Sequence, residues 1–132
     1  MREAVESREA PKPIGPYSQG VRAGCLLFVS GQIPLDPSTG SLVQGDFKAR
    51  ARRALENLRA VVEAAGASMD SVVKVTVYLT DIKRFSEFNE VYRDYFREPY
   101  PARAVVGVSS LPGGADVEVE AVVYTCRGEG GA

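Results

Sequence analysis

Residues 99–124 read PYPARAVVGVSSLPGGADVEVEAVVY. Two valine-rich runs flank a Pro-Gly-Gly turn, the pattern of two buried strands. Three charges sit inside them: Arg103 near the start of the first, Glu118 and Glu120 within the second. Charged side chains are seldom left among apolar neighbours without a partner. Period-two alternation sets Arg103, Val105 and Gly107 on one side of their strand, and Glu118, Glu120, Val122 and Tyr124 on one side of the other. If the two runs form a simple hairpin about Pro112-Gly113, Arg103 and both glutamates share a face; a bulge or an intervening strand would change that register. Two readings of the charges stay open. One is a cross-strand ion pair. The other is a carboxylate-binding site, in which the arginine presents a planar fork to a ligand and a glutamate holds water or moves a proton.

Upstream, IKRFSEFNEVYRDYF (82–96) places Phe85, Phe88, Tyr92, Tyr95 and Phe96 at helical spacing and predicts an aromatic-rich helix that stops before Pro99. Before it, SVVKVTVYLTD (71–81) alternates as a strand, with Val73, Val75, Val77 and Leu79 on one face and Lys74, Thr76 and Tyr78 on the other. DFKARARRALENLRAVVEAAG (46–66) is an amphipathic helix, with Asp46 suited to the N-cap and Gly66 to the left-handed residue after the last turn. Its outer face carries Lys48, Arg50, Arg52, Arg53 and Arg59, read as a solvated face rather than an RNA patch. IGPYSQGVRAGCLLFVSGQIP (14–34) predicts a hairpin, with one strand near Tyr17 to Arg22 and another from Leu26 to Ser30. Residues 1–12 read as a frayed lead-in and 127–132 as a flexible tail. The predicted order is ββαβαββ, one α+β domain over 1–132 with helices on one side of a sheet. Tyr78 and Tyr124 fall on the other side, where a homo-oligomer would hide them.

The chain of 132 residues is long enough for a core of its own, and 45% hydrophobic with 25% charged residues is an ordinary globular composition. Sixteen basic against seventeen acidic residues argue against long-range capture of nucleic acid or an anionic membrane. The amino-terminal residues show no apolar signal-type run, and no stretch is apolar enough to span a bilayer, so a cytoplasmic location is expected. Cys25 and Cys126 form no C-x-x-C motif and are each read as a small buried hydrophobe. There is no histidine, which removes the usual imidazole base and the commonest zinc ligand.

Several segments together resemble one family, the RidA/YjgF reactive-intermediate deaminases, also called the endoribonuclease L-PSP family: IGPYSQG (14–20), VSGQIP (29–34), VEAAG (62–66), VYLTD (77–81), FNEVY (88–92), PARAVVGVSSLP (101–112) and VEVEAVV (117–123). They run nearly the length of the chain in the family's order. The resemblance implies a chorismate-mutase-like α+β sandwich, with one mixed sheet and two helices on one face, assembling as a trimer with ligand clefts between subunits. It also implies cofactor- and metal-independent hydrolysis of enamine/imine acids such as 2-aminoacrylate and 2-aminocrotonate to 2-keto acids and ammonia. Carried over, Arg103 grips the substrate carboxylate and Glu118 places the attacking water, leaving Glu120 structural. Tyr17, Ser30 and Asn89 line the cleft, and backbone near Val105 holds the imine nitrogen. Val105 stands where deaminases of this family often have cysteine. The alternatives are a non-catalytic binder of 2-keto acids and, from the older family name, a ribonuclease.

Overall fold

The computed structural model describes residues 1–126. Six strands, β1 (Arg2–Val5), β2 (Gly20–Ala23), β3 (Leu26–Gln32), β4 (Val72–Leu79), β5 (Ala102–Gly107) and β6 (Val117–Tyr124), form one sheet in the order β1-β2-β3-β6-β4-β5. Neighbours are antiparallel except β4 and β5, which run parallel. Two helices, α1 (Phe47–Ala64) and α2 (Phe85–Tyr92), complete a mixed-sheet α+β fold.

The long helix forms where its pattern requires. Asp46 accepts from the Ala49 N–H at 2.9 Å, and Gly66 takes a φ of 83°, so both ends have their chemical stops. Leu55, Leu58, Val61 and Val62 are fully buried, and the helix packs on β3, β6 and α2. One polar residue shares that buried face. Asn57 donates to the carbonyls of Ile33 (3.2 Å) and Leu35 (2.9 Å) and accepts from Arg53, so a fully satisfied amide ties the chain after β3 to α1. On the outer face Lys48, Arg50, Arg52 and Arg59 pair with Glu90, Asp116, Asp94 and Glu56.

Leu27, Val29, Val75, Val77, Leu79, Val117, Val119 and Val123 point from the sheet to the helices and are buried. The opposite face carries Tyr78 and Val122, half-buried, with Leu26, Phe28, Val106 and Tyr124 exposed; Phe28 and Tyr124 are each 46% exposed. Both tyrosines expected on that face are there.

Five local expectations are corrected. The runs in 99–124 are not a hairpin: β4 lies between them, pairing Arg103 with Val75 on one side and Glu118 with Tyr78 on the other. A crossover of this kind is invisible to alternation, which fixes faces but not neighbours. The first turn of β4 slips by one residue, because the register with β6 shifts between Val72 and Lys74; Val72 is buried and Val73 exposed. The aromatic helix ends at Tyr92, and Tyr95 and Phe96 follow in turns that fold back onto the Tyr92 carbonyl, while Phe85 is exposed. The lead-in is not frayed, since β1 extends the sheet beside β2. The cysteines are not buried hydrophobes: Cys25, at the β2–β3 turn, and Cys126, just past β6, are disulfide-bonded with their Cα atoms 4.9 Å apart. The sequence separates them by 101 positions, and the fold brings them together because β3 and β6 are neighbours. The predicted tail, 127–132, lies outside the described residues. Among those described, no helix is long and apolar enough to cross a membrane.

Candidate active site

Arg103 leaves β5 on the helix-covered side, in register with buried Val75. Its guanidinium lies over the rings of Tyr92 (4.6 Å to the centroid) and Phe85 (5.6 Å), both from α2. Aromatic faces hold a cation without neutralising it. Arg103 makes no ion pair among the described residues. It opens instead on a concavity of about 240 Å³ that it lines with Asn89, Tyr92, Arg93, Tyr100 and Pro101. Two guanidiniums and an amide, with no carboxylate in the lining, suit an anionic ligand. Val105 points to the same side of β5 but packs, half-buried, against the core and lines no part of this concavity.

Glu118 lies on the other side of the sheet. It lines a second concavity, about 310 Å³, with Ile14, Tyr17, Ser30, Gly31, Ile33 and Pro112. The register of β3 against β6 breaks between Val29 and Gln32, and this irregularity turns Ser30 and Gly31 toward Glu118. Gly31 is there for space: a Cβ on it would overlap Oε2 of Glu118. The Ser30 hydroxyl donates to the Ser18 carbonyl at 2.6 Å, and the Tyr17 hydroxyl accepts from the Ile14 N–H at 3.3 Å. Buried Gln19 fixes the arm that carries these groups, donating to the carbonyls of Ser7, Ala10 and Pro11 and accepting from the Ser7 N–H at 2.6 Å.

The two glutamates of VEVE differ in their surroundings. Glu120 accepts from the Tyr78 hydroxyl at 3.1 Å. Glu118 has no hydrogen-bond partner among the described residues, and burial first, then the charge of Glu120, pushes its carboxyl above the ordinary glutamate value of 4.5. A half-buried carboxylate raised in this way is fit to accept a proton.

The fold therefore brings Arg103 together with Asn89, and Glu118 together with Tyr17 and Ser30, but it does not join the two sets. The sheet stands between them, and the expectation that Arg103 shares a face with the glutamates is overturned by the interposed β4. Sequence reading missed Gly31, although a glycine inside a strand pattern is itself a signal of close approach. It also missed Ile14, Tyr100 and Pro112, which had no distinguishing spacing, and treated Tyr92 as core only.

The endoribonuclease L-PSP family model matches residues 7–125. The chain belongs to this family, the RidA/YjgF proteins. It is 53% identical over 124 residues to a RutC family protein of Pyrococcus horikoshii, covering 94% of this chain and 98% of that one. The human 2-iminobutanoate/2-iminopropanoate deaminase is 44% identical over 122 residues, covering 92% and 89%. Among solved structures, Escherichia coli TdcF with bound serine superposes with a TM-score of 0.88 at 42% identity, covering 94% of this chain and 99% of that one. The family segments fall on both concavities: GPYSQG and VSGQ around Glu118, FNEVY and PAR around Arg103.

Proposed function

We propose that the protein hydrolyses 2-imino acids, formed from unstable enamines, to 2-keto acids and ammonia. The clefts would join the Arg103 concavity of one subunit to the Glu118 concavity of the next in a homotrimer. The observation that carries this reading is a pair of charges unpartnered among the described residues: a guanidinium with no carboxylate on one face of the sheet, and a raised carboxylate with no donor on the other. A cyclic assembly of identical chains is the simplest way to bring opposite faces of one fold together. The open face with Leu26, Phe28 and Tyr124 supplies apolar area for it.

In this mechanism Arg103 holds the substrate carboxylate through two parallel N–H···O bonds, with Asn89 beside it. Glu118 takes a proton from water as the oxygen bonds to C2 and the C=N π electrons move to nitrogen, and it passes that proton to the nitrogen to give a neutral carbinolamine. In the collapse Glu118 takes the hydroxyl proton as the C=O bond forms and delivers it to the nitrogen as the C–N bond breaks, so ammonia leaves and the carboxylate is restored. Water, one carboxylate and one guanidinium suffice, so no cofactor is invoked. Tyr17 and Ser30 line the Glu118 side, and the Val105–Gly107 backbone of β5 is assigned to the imine nitrogen. The likeness to the human deaminase, and to a protein that holds serine, an amino acid with its carboxylate next to the nitrogen-bearing carbon, supports this substrate class. Ribonuclease action is disfavoured, because the basic face of α1 is largely neutralised by its own ion pairs. A cytoplasmic site of action is part of the proposal.

The test is a coupled assay in which a dehydratase generates the enamine and semicarbazide traps the imine. Wild-type protein should suppress trapping and speed keto-acid release, while Arg103→Ala and Glu118→Ala should each be inactive. Unfolding and reassembling the two inactive variants together in equal amounts should restore about a quarter of wild-type activity, because each mixed trimer regains one complete cleft of three. No recovery in mixed trimers verified by mass would refute the shared site, and no effect of wild-type protein on trapping would refute the reaction.

A further inference from the structure

The proposed reaction uses one guanidinium of the Arg103 concavity and leaves the other, Arg93, without a task. Arg93 directly follows α2, one turn on from Asn89, so the two share a face of the helix end and line the concavity together. It is exposed at the rim and makes no ion pair among the described residues. Its neighbours arrange this isolation. Glu90, three residues back and placed to pair with it, is held by Lys48 at 2.6 Å, and Asp94 is held by Arg52 at 2.9 Å. The cations of α1 thus take up the counter-ions that would otherwise neutralise Arg93. A positive residue at a helix C-terminus is favoured by the helix dipole in any surroundings. The dipole does not account for a concavity lined by two guanidiniums and no carboxylate, in which like charges repel until an anion comes between them. Arg103 alone occupies both oxygens of one carboxylate, so a second fork is matched only by a second anionic group.

We propose that Arg93 is a specificity-determining residue: with Arg103 on the carboxylate next to the imine, it binds a second carboxylate at the end of the substrate's side chain. The preferred substrates are then imino diacids, the class formed when an acidic amino acid is oxidised by two electrons across its Cα–N bond. Their hydrolysis takes the course already described, one imino diacid and one water giving one 2-keto diacid and one ammonia, with no further reactant. A concavity of about 240 Å³ has room for a diacid of four or five carbons. The proposal deepens the reading of the Arg103 concavity as a carboxylate site and rests on it.

The test uses keto acids matched in length, one ending in carboxylate and the other in methyl: oxaloacetate against 2-oxobutanoate, and 2-oxoglutarate against 2-oxopentanoate. Calorimetry on wild type and Arg93→Gln at one ionic strength reads the affinity ratio of diacid to monoacid, and the corresponding imines, generated by amino-acid oxidases and trapped with semicarbazide, give the same ratio in kcat/KM. A hydrogen bond to a charged group corresponds to about 10- to 100-fold in affinity, and for a group exposed at a rim the lower end applies. The expected ratio is about 10 in wild type and about 1 in Arg93→Gln. A ratio that the substitution changes by less than about 2-fold overturns the proposal. So does a loss equal for both members of a pair, since Arg93 would then serve the fold or the general potential of the cleft and not the second carboxylate. If wild-type protein binds none of the four acids and consumes no imine, the carboxylate-site reading fails and takes this one with it; if wild type consumes monocarboxylic imines and gains nothing from a second carboxylate, only the role of Arg93 fails.

Discussion

Replacing Gly31 with alanine tests whether the position of one carboxylate carries the chemistry. Gly31 is not in the left-handed backbone region, so alanine introduces no strain of its own. The added Cβ would lie 2.7 Å from Cδ of Glu118 and 3.1 Å from its Cγ, against 3.4–4 Å for an ordinary contact, and would overlap Oε2. The carboxyl must therefore retreat by about 1 Å, and a misplacement of that size costs on the order of 100-fold in rate. The obstructing atoms belong to the far end of a flexible side chain at a rim, so the fold yields without loss. The expected result is a kcat about 100-fold lower, with KM within about 3-fold because in the proposed assembly the guanidinium grip belongs to the other subunit, and with Tm within a few degrees. Steady-state kinetics in the coupled assay and a thermal melt read all three. In a Glu118→Ala background the same substitution should do nothing further, since the two changes act on one group. A Gly31→Ala protein with kcat within about 3-fold of wild type would refute the claim that Glu118, held against Gly31, activates the water.

Two further predictions follow from charge and covalent connectivity. In the proposed reaction Glu118 must be ionised to act, and its carboxyl titrates above 4.5 through burial and then the charge of Glu120; kcat should therefore rise with pH through that raised value. Glu120→Gln removes the second cause, so the acid limb should move to lower pH, and a limb that stays or moves up refutes the assignment of Glu118 as base. The Cys25–Cys126 bond closes a loop spanning 101 positions, for which chain entropy gives an upper value of about 5 kcal/mol. At about 2.1 cal/mol/K of unfolding entropy per residue this is a Tm lower by up to about 18 °C after reduction. A melt unchanged by reductant, with two free thiols titrated, would show that the bond contributes nothing.

What the sequence made legible is what depends on local physics. The 46–66 helix was readable to its caps because Asp46 and Gly66 are chemical stops, and the faces of the last two strands were right because alternation fixes them. What it hid depends on neighbours. Nothing in the valine runs says that β4 inserts between β5 and β6, so Arg103 and the glutamates were placed on one face when the fold sets them on two. Nothing in the spacing of Cys25 and Cys126 announces a bond, which follows only once β3 and β6 are adjacent. Arg103 and the two glutamates stood out as candidates from their valine-rich strands, with an ion pair as the other open reading; the choice of Glu118 over Glu120, and Tyr17, Ser30 and Asn89, came through the family resemblance, since composition and period alone left the three lining residues with ordinary structural readings. Tyr92 shows the converse limit, because helical spacing correctly put its ring in the core and could not show that its oxygen has no partner among the described residues.

The split of the site explains how valine-rich strands carry these charges. A guanidinium and a carboxylate buried together in one core would satisfy each other, and neither would be left for a ligand. Setting them on opposite faces keeps each at the rim of its own concavity, half-buried and unpaired, so the single chain folds without burying a bare charge. Under the proposed assembly the water around them is displaced only when a second copy closes the cleft. The desolvation that already lifts the Glu118 carboxyl in one chain then deepens in the trimer, and each interaction with the substrate strengthens as the local dielectric falls. Catalytic competence becomes a property of the oligomer rather than of the chain. A substitution such as Phe28→Glu on the open face, outside the lining of either concavity, should then abolish activity to the same extent that it yields monomers, whereas retained activity in a verified monomer would contradict the division of the site.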